Sequence, residues 1–281
     1  MGRGVSLETA AELCAQGVIH SEDPLNTAQP DYPLANKVYV CAHAERTFDH
    51  DVLVFADSDQ VILNEPGALR LAPGEDAAVQ PEPVLWVGAG SPDHENYALW
   101  VALLARHGIE SPRFTRTVVG GHRIFGYWNS GLVAVRRNAG VFHRWQEIFE
   151  ANWRESIWPK GGDHLIYLEQ VSFALALMSS GARLRTLSRD YNYHIVIHDE
   201  LPPDARLSAL EDMTTMHYHK LIEKSCWQKP FQRVRSFRPD GERYDWLRRE
   251  MRALSIGRPT ELRRYWAGAG RKLRKAMAPS R

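Results

Sequence analysis

DVLVFADSDQVIL, residues 51–63, brings two like charges to the end of an apolar run. Residues 52–56 are short, apolar and rich in Val, which indicates a buried strand. Asp57 and Asp59 follow it, and side chains at i and i+2 of an extended segment point the same way. Ligands of open parallel sheets bind at the carboxyl ends of the strands. We therefore expect both carboxylates to face one point beyond this strand.

Two carboxylates on one point repel each other unless a positive charge lies between them. A hard divalent cation, Mn²⁺ or Mg²⁺, would offset this repulsion, and carboxylate oxygens suit such an ion. The alternative is a surface turn, because Asp-Ser-Asp is ordinary turn chemistry. The spacing alone leaves both hypotheses open.

The overall composition is that of a soluble globular protein. The chain of 281 residues is 44% hydrophobic and 25% charged, and its net charge of +1 predicts no nucleic-acid partner. The three cysteines form no CxxC pair, so neither a disulfide framework nor a structural zinc site is expected. These cysteines, the absence of a bilayer-spanning apolar run and a start without a signal-peptide core together predict a cytoplasmic location.

The order of apolar segments predicts an α/β domain with a mainly parallel central sheet flanked by helices. The predicted strands are 38–42, 52–56, 84–90, 131–137 and 214–220. The predicted helices are 96–108, 140–153, 163–181 and 244–254. Residues 66–83 are rich in Pro and Gly and are expected to be a loop. We expect one domain over residues 1–235 and a helical basic tail over residues 236–281.

The basic tail fits two hypotheses. From Glu261 onward it carries seven Lys or Arg residues against one Glu, a net charge of +6. A solvated, frayed helix would explain this composition. The alternative is peripheral attachment of residues 261–281 to an anionic membrane surface, which Trp266 with its basic neighbours would suit.

Two further groups of residues are candidates for a site. His217 and His219 share the i, i+2 spacing, and histidine is the commonest metal ligand, although two ordinary structural histidines would also explain the pair. Glu169 and Gln170 fall on an apolar helix face, where they need either a buried polar network or a ligand. The pair before strand 131–137, Asn129 and Ser130, fits either a turn or a polar pocket wall.

Taken together, these segments resemble the GT-A-fold glycosyltransferases, closest to the family that includes glycogenin and bacterial galactosyltransferases. The matching segments, in the family's order, are VFADSDQVIL, WNSGLVAV, LEQVSFALA and MHYHK…QKPF. The resemblance covers roughly residues 35–231 and depends on four short motifs in order rather than on one of them. It implies a GT-A-like catalytic domain of the nucleotide-diphospho-sugar transferase class.

The resemblance also implies roles for individual residues. Asp57, Asp59 and His217 would hold Mn²⁺ (or Mg²⁺) on the diphosphate of a nucleotide-sugar donor, and Lys229 would contact the same diphosphate. Asn129 and Ser130 would bind the sugar, and Glu169 and Gln170 would be the catalytic residues that hold it near the transfer point. The implied reaction is metal-dependent transfer of the sugar to an acceptor hydroxyl on a carbohydrate, lipid or protein.

The chain departs from that family in three places. The region before the aspartates is about half the length expected for the family, so we expect the first nucleotide-binding unit to be missing or to be rebuilt from LCAQGVIHSEDP. The Gly after the His-aromatic pair is absent, and Phe231 replaces the final Trp. A degenerate, non-catalytic binding protein of the same fold is therefore one alternative.

The other alternative is a haloacid dehalogenase-like phosphatase, which the DSDQV opening also fits. Asp57 would then be the nucleophile and Asp59 the acid–base, with GGDHLIYLE as the later acidic motif. That motif should follow a strand, however, whereas here it opens a predicted helix. His217 and Asn129 also gain no role in a phosphatase.

Overall fold

The computed structural model describes residues 6–21, 23–158, 162–219, 231 and 234–256. Helices and strands are mixed along this chain, which confirms the α/β class. The helices are α1 (Leu7–Ala15), α2 (Ala35–Thr47), α3 (Tyr97–Arg106), α4 (Val141–Glu155), α5 (Leu168–Ser179) and α6 (Glu242–Ile256). The strands are β1 (Val52–Ala56), β2 (Gln60–Ile62), β3 (Ala77–Val79), β4 (Phe114–Arg116), β5 (Arg123–Phe125), β6 (Leu132–Arg136), β7 (Leu184–Thr186), β8 (Tyr193–His194) and β9 (Thr215–His217).

Four strands form the first sheet, in the order β1-β6-β3-β7. Strands β1, β3 and β7 run in one direction, and β6 lies reversed between β1 and β3. The prediction of a mainly parallel sheet is correct for strand direction, since three of the four strands run the same way. It is wrong for strand pairing, because β3 and β7 are the one parallel pair among the described strands of this sheet. An apolar run signals burial, but it says nothing about the direction of the neighbouring strand.

The two faces of the first sheet pack against different sets of residues, because successive side chains of a strand point to opposite faces. One face packs against α2, α3, α4 and α5, and the residues of this sheet in that core are Leu53, Ala77, Val79, Val133 and Val135. The opposite face carries a smaller cluster that includes Ala78, Leu132 and Ala134. Within the larger core the rings of Trp145 and Phe173 lie 4.9 Å apart between α4 and α5, so the helix that begins at Leu168 is fixed against the sheet.

The second sheet has the order β2-β9-β8, with β2 antiparallel and β8 parallel to β9. Its buried residues pack with residues from the C-terminal part of the chain. Phe231, Phe237 and Leu247 belong to the same hydrophobic cluster as Ile195. The first turns of α6 therefore pack against this sheet. None of the described helices is long and apolar enough to cross a membrane.

Three predicted elements need correction. The predicted strand 38–42 lies inside α2, where Ala35, Val38 and Ala42 are fully buried at helical spacing. The predicted strand 84–90 contains no strand and instead turns at Leu85, whose carbonyl accepts a hydrogen bond from Gly88 N at 2.6 Å. The predicted loop 66–83 contains β3, a central strand of the first sheet.

The other predicted elements are confirmed within a few residues. Helices α3, α4, α5 and α6 lie within or close to the predicted ranges, and a short 3-10 segment, Gly162–Tyr167, leads into α5. Strands β1, β6 and β9 correspond to the predicted strands 52–56, 131–137 and 214–220.

Candidate functional site

The segment Asp57–Ser58–Asp59 joins the two sheets. The backbone N–H of Asp57 donates to Gly131 O at 2.7 Å, which extends the β1–β6 ladder by one residue. On the other side, Gln60 pairs with His217, and Tyr218 N donates to Asp59 O at 3.0 Å. Asp57 thus belongs to the end of the first sheet and Asp59 to the second.

Asp59 faces two imidazoles, one on β9 and one just after it. His217 Nε2 lies 3.0 Å from Asp59 Oδ1, and His219 Nδ1 lies 3.7 Å from Asp59 Oδ2. The other ring nitrogen of His217 lies 3.0 Å from Asn192 Oδ1, which fixes the ring orientation. Burial favours the neutral acid of Asp59, but the hydrogen bond and charge of His217 outweigh it and lower the pKa of this carboxyl.

Asp57 faces a lysine that the sequence interpretation missed. Lys37 Nζ lies 3.0 Å from both carboxylate oxygens of Asp57 and 3.4 Å from Glu169 Oε1. Burial disfavours the ammonium, but the two carboxylates outweigh burial and raise the pKa of Lys37. The available signal was helical spacing, because Lys37 and the buried Cys41 lie four residues apart on one face of α2.

Glu169 lies in the first turn of α5 and is only 4% exposed. Ser130 Oγ donates to its Oε2 at 2.9 Å, and Lys37 lies on its other oxygen. Burial raises the pKa of Glu169 to about 7, with the nearby ammonium of Lys37 opposing and the charge of Asp57 adding to the shift. This carboxyl therefore changes charge near neutral pH.

A second buried carboxylate, Glu82, was also missed. It is 2% exposed, and its Oε2 accepts hydrogen bonds from Asn129 Nδ2 at 3.0 Å and Gln170 Nε2 at 2.9 Å. Its Oε1 accepts from the indole N–H of Trp86 at 2.9 Å. Burial raises the pKa of Glu82, while the three hydrogen bonds oppose that shift. Glu82 lies on an irregular segment that offers no periodic signal.

Gly131 leaves the space in which these groups meet. A Cβ at this position would lie 2.9 Å from Asp57 Oδ2, 2.9 Å from Asn129 Oδ1 and 3.0 Å from His217 Cε1. Real Cβ atoms rarely approach so closely. The absence of a side chain therefore allows the sugar-pocket candidate Asn129 to lie against the proposed metal ligands.

The site fits a divalent cation. One ligand atom each from Asp57, Asp59 and His217 lie within 4.8 Å of one another, and two carboxylates with one imidazole are a donor set for Mn²⁺ or Mg²⁺. Gln60, next in the chain, has a buried Oε1 without a hydrogen-bond partner among the described residues. Such an oxygen could accept from water bound to an ion. Lys37 would share Asp57 with the ion.

A second group of potential ligands overlaps the first. His194, His217 and His219 offer nitrogens within 4.8 Å of one another, and the rings of His217 and His219 are stacked with centroids 3.9 Å apart. Burial and the neighbouring imidazoles lower the pKa of His194 and that of His219, the latter to about 4. Sequence spacing identified the last two of these histidines but not His194.

Residues 7–181 match the family described as the Rhodobacterales glycosyltransferase domain. The chain belongs to this family. It is a glycosyltransferase family, so the match supports glycosyl transfer and gives no support to the phosphatase alternative. The narrower resemblance to glycogenin remains a prediction. No curated protein matches the chain.

Among solved structures, this chain is similar to the apo structure of the WbbM bifunctional glycosyltransferase. The sequence identity is 13%, and the TM-score is 0.44. The similarity covers 78% of this chain and 37% of the WbbM chain, so this chain spans little more than a third of that protein's length.

The structure of this family member brings seven of the eight predicted site residues into one continuous set of contacts. They are Asp57, Asp59, Asn129, Ser130, Glu169, Gln170 and His217. The eighth, Lys229, lies outside the described residues. The described residues before β1 form the helices α1 and α2.

Proposed function

We propose that this domain transfers a sugar from a nucleotide-diphosphate donor to an acceptor hydroxyl, with a divalent cation at Asp57, Asp59 and His217. The observation that supports it most is the convergence of these three side chains from two sheets within 4.8 Å of one another. A surface turn alone would not explain why a carboxylate oxygen of each aspartate lies within 4.8 Å of a ring nitrogen of the buried His217. Mn²⁺ is the first candidate and Mg²⁺ the second, because an imidazole ligand favours the softer of the two ions.

The bound ion would supply positive charge to the departing nucleoside diphosphate. Lys37 supplies a second positive charge at the same place, because its ammonium lies against Asp57 and stays protonated over the physiological range. We infer that Lys37 faces the leaving group and holds Glu169 beside it. Fixed charges of this kind need no reorganisation during the reaction.

The sugar would be held by Asn129 and Gln170. Their amide N–H groups both point at Glu82 Oε2, so Glu82 fixes the rotamers of both side chains. Asn129 Oδ1 is fixed in turn by Gly131 N at 2.8 Å and Asn192 Nδ2 at 2.9 Å. Side chains held in this way orient a substrate at little entropic cost.

Glu169 is the candidate catalytic carboxylate of the proposed reaction. It lies between Ser130 and Lys37, and these two groups favour its ionised form while burial favours its neutral form. A carboxyl in that balance can stabilise positive charge that develops on the sugar ring at the transfer point.

A panel of UDP-, GDP- and CMP-sugars incubated with Mn²⁺ tests the proposal. We expect turnover of one donor class and its loss when Asp57→Asn is combined with Asp59→Asn. The matched control is Asp49→Asn, because the side chain of Asp49 is 98% exposed and pairs only with a surface arginine, Arg137, in the described contacts. Unchanged turnover in the double variant would refute the proposal.

Two other outcomes of the same panel would support the remaining alternatives. Donor binding without turnover would favour a degenerate binding module of this fold. Release of phosphate from simple phosphomonoesters would favour the phosphatase.

The cytoplasmic location and the membrane contact remain proposals. The basic tail, residues 261–281, lies outside the described residues. Sedimentation with liposomes of anionic lipid tests the membrane contact: deletion of residues 261–281 is expected to abolish binding, and undiminished binding would refute it.

A further inference from the structure

We propose that Trp86 and Tyr167 form an aromatic platform that binds a saccharide acceptor by stacking against one face of its sugar ring. The inference rests on the proposed function, because it assigns the acceptor side of the same site. It also narrows the acceptor class from carbohydrate, lipid or protein to carbohydrate.

Trp86 is exposed to solvent and has an unusual backbone conformation. Its side chain is 47% exposed, although it is among the largest apolar groups of the chain. Its φ is +39°, in the left-handed region that bulky residues rarely adopt. Strain of this kind persists where the surroundings impose it, and it is concentrated at binding and catalytic sites.

The segment that carries Trp86 is tightly packed. A Cβ at Gly88 would lie 2.8 Å from Ile124 Cδ1, and a Cβ at Gly90 would lie 2.1 Å from Arg123 O. The backbone on the C-terminal side of Trp86 therefore packs directly against β5. Since the segment is held in this way, Trp86 presents its ring in a defined position.

Hydrogen bonding connects Trp86 to the proposed sugar pocket. Its indole N–H donates to Glu82 Oε1, and the other oxygen of Glu82 accepts from Asn129 and Gln170. One buried carboxylate thus aligns the exposed indole with both amide side chains.

Tyr167 supports the indole of Trp86 by stacking against it. Its ring is stacked with that of Trp86, with centroids 5.9 Å apart and an interplanar angle of 27°. It directly precedes α5, whose first turn carries Glu169 and Gln170. Both rings are therefore anchored to residues of the proposed sugar pocket.

The position along the site favours the acceptor over the donor nucleoside. Asn129 Oδ1 lies beside the proposed metal ligands, whereas Asn129 Nδ2 donates to Glu82, whose other carboxylate oxygen accepts from Trp86. The nucleoside is joined to the donor sugar through the diphosphate at the metal, so it would extend away from Trp86. A sugar ring suits the platform, since its C–H groups pack on an aromatic face while its hydroxyls reach nearby polar groups.

Saturation-transfer NMR with a panel of methyl glycosides and disaccharides tests the platform, with and without UDP and Mn²⁺. We expect saccharide binding by the wild-type protein and about tenfold weaker binding by Trp86→Leu. Trp86→Phe retains an aromatic ring and is expected to keep most of the affinity. The matched control is Trp246→Leu, since Trp246 is a similarly exposed indole, 39%, on α6. Thermal melting confirms that each variant is folded.

Each outcome decides for or against the platform. The platform would be overturned if Trp86→Leu bound saccharides as well as the wild-type protein, or if the wild-type protein bound none under any condition. An equal loss of UDP affinity in Trp86→Leu would also overturn it. Trp86-dependent saccharide binding without nucleotide-sugar turnover would leave the platform standing while the proposed function fails. Nucleotide-sugar turnover with the same acceptor KM in Trp86→Leu and the wild-type protein would support the proposed function and refute the platform.

Discussion

Asp59 Oδ1 lies 3.0 Å from His217 Nε2, and the β2–β9 ladder fixes this contact. Gln60 and His217 are direct partners in that ladder, so the residue before Gln60 is brought beside the imidazole by backbone pairing. A DxD segment that closes one sheet and opens the next can therefore present its two carboxylates to different neighbours. Backbone pairing on both sides of the Asp57–Asp59 turn therefore positions the proposed metal ligands.

Gly131→Ala is expected to damage the site while leaving the fold intact. The new Cβ would press on Asp57, Asn129 and His217, so we expect about tenfold weaker Mn²⁺ binding, measured by titration calorimetry. Gly67→Ala is the matched control, because a Cβ there meets nothing within 4 Å. Wild-type Mn²⁺ affinity in Gly131→Ala would show that this space is not part of the metal site.

Lys37→Met is expected to destabilise the protein by about 3–5 kcal/mol, because it leaves the buried carboxylate of Glu169 and the partly buried one of Asp57 without their common counter-charge. Urea unfolding measures the change. Lys37→Arg keeps the charge and is expected to lose less stability. If Lys37→Met were as stable as the wild type, the ammonium would not be neutralising these carboxylates.

The hydrogen bonds to Asp199 predict that the free energy of unfolding depends on pH. The hydroxyl of Ser236 and the backbone N–H groups of Arg235 and Ser236 donate to its carboxylate, and they lower its pKa to about 2 despite the opposing effect of burial. The unfolded chain binds the proton at about pH 3.9. The stabilisation is therefore complete above about pH 4 and is lost as the pH falls toward 2.

The stability difference between wild type and Asp199→Asn measures this term. Urea unfolding at pH 6, 4 and 3 should show a difference that shrinks as the pH falls. Ser236→Ala removes the hydroxyl hydrogen bond and should reduce the slope. A difference that is constant over this range would contradict the assignment.

The sequence was most informative where periodicity and polarity conflict. Asp57 and Asp59 interrupt an apolar strand at a spacing of two, and Glu169 and Gln170 interrupt an apolar helix face. Such conflicts can be seen without coordinates, because a buried polar group needs a partner. The structure brings both pairs to one site.

The sequence was least informative where the local pattern was ambiguous. VYVCA is rich in β-branched and aromatic residues, so it was predicted as a strand, and this concealed Lys37 on a helix face. Tertiary packing of α2 on the sheet overrode that propensity. Glu82 and Trp86 lie on irregular backbone, where no period relates a residue to its spatial neighbours.

Mn²⁺ binding by the wild-type protein and by Asp57→Asn with Asp59→Asn tests the central claim most directly. Electron paramagnetic resonance of free Mn²⁺ measures binding without any knowledge of the donor or acceptor. We predict one site per chain in the wild-type protein, at least about tenfold weaker binding in the double variant, and wild-type affinity in Asp49→Asn. Equal Mn²⁺ affinity in the wild-type protein and the double variant would contradict the account.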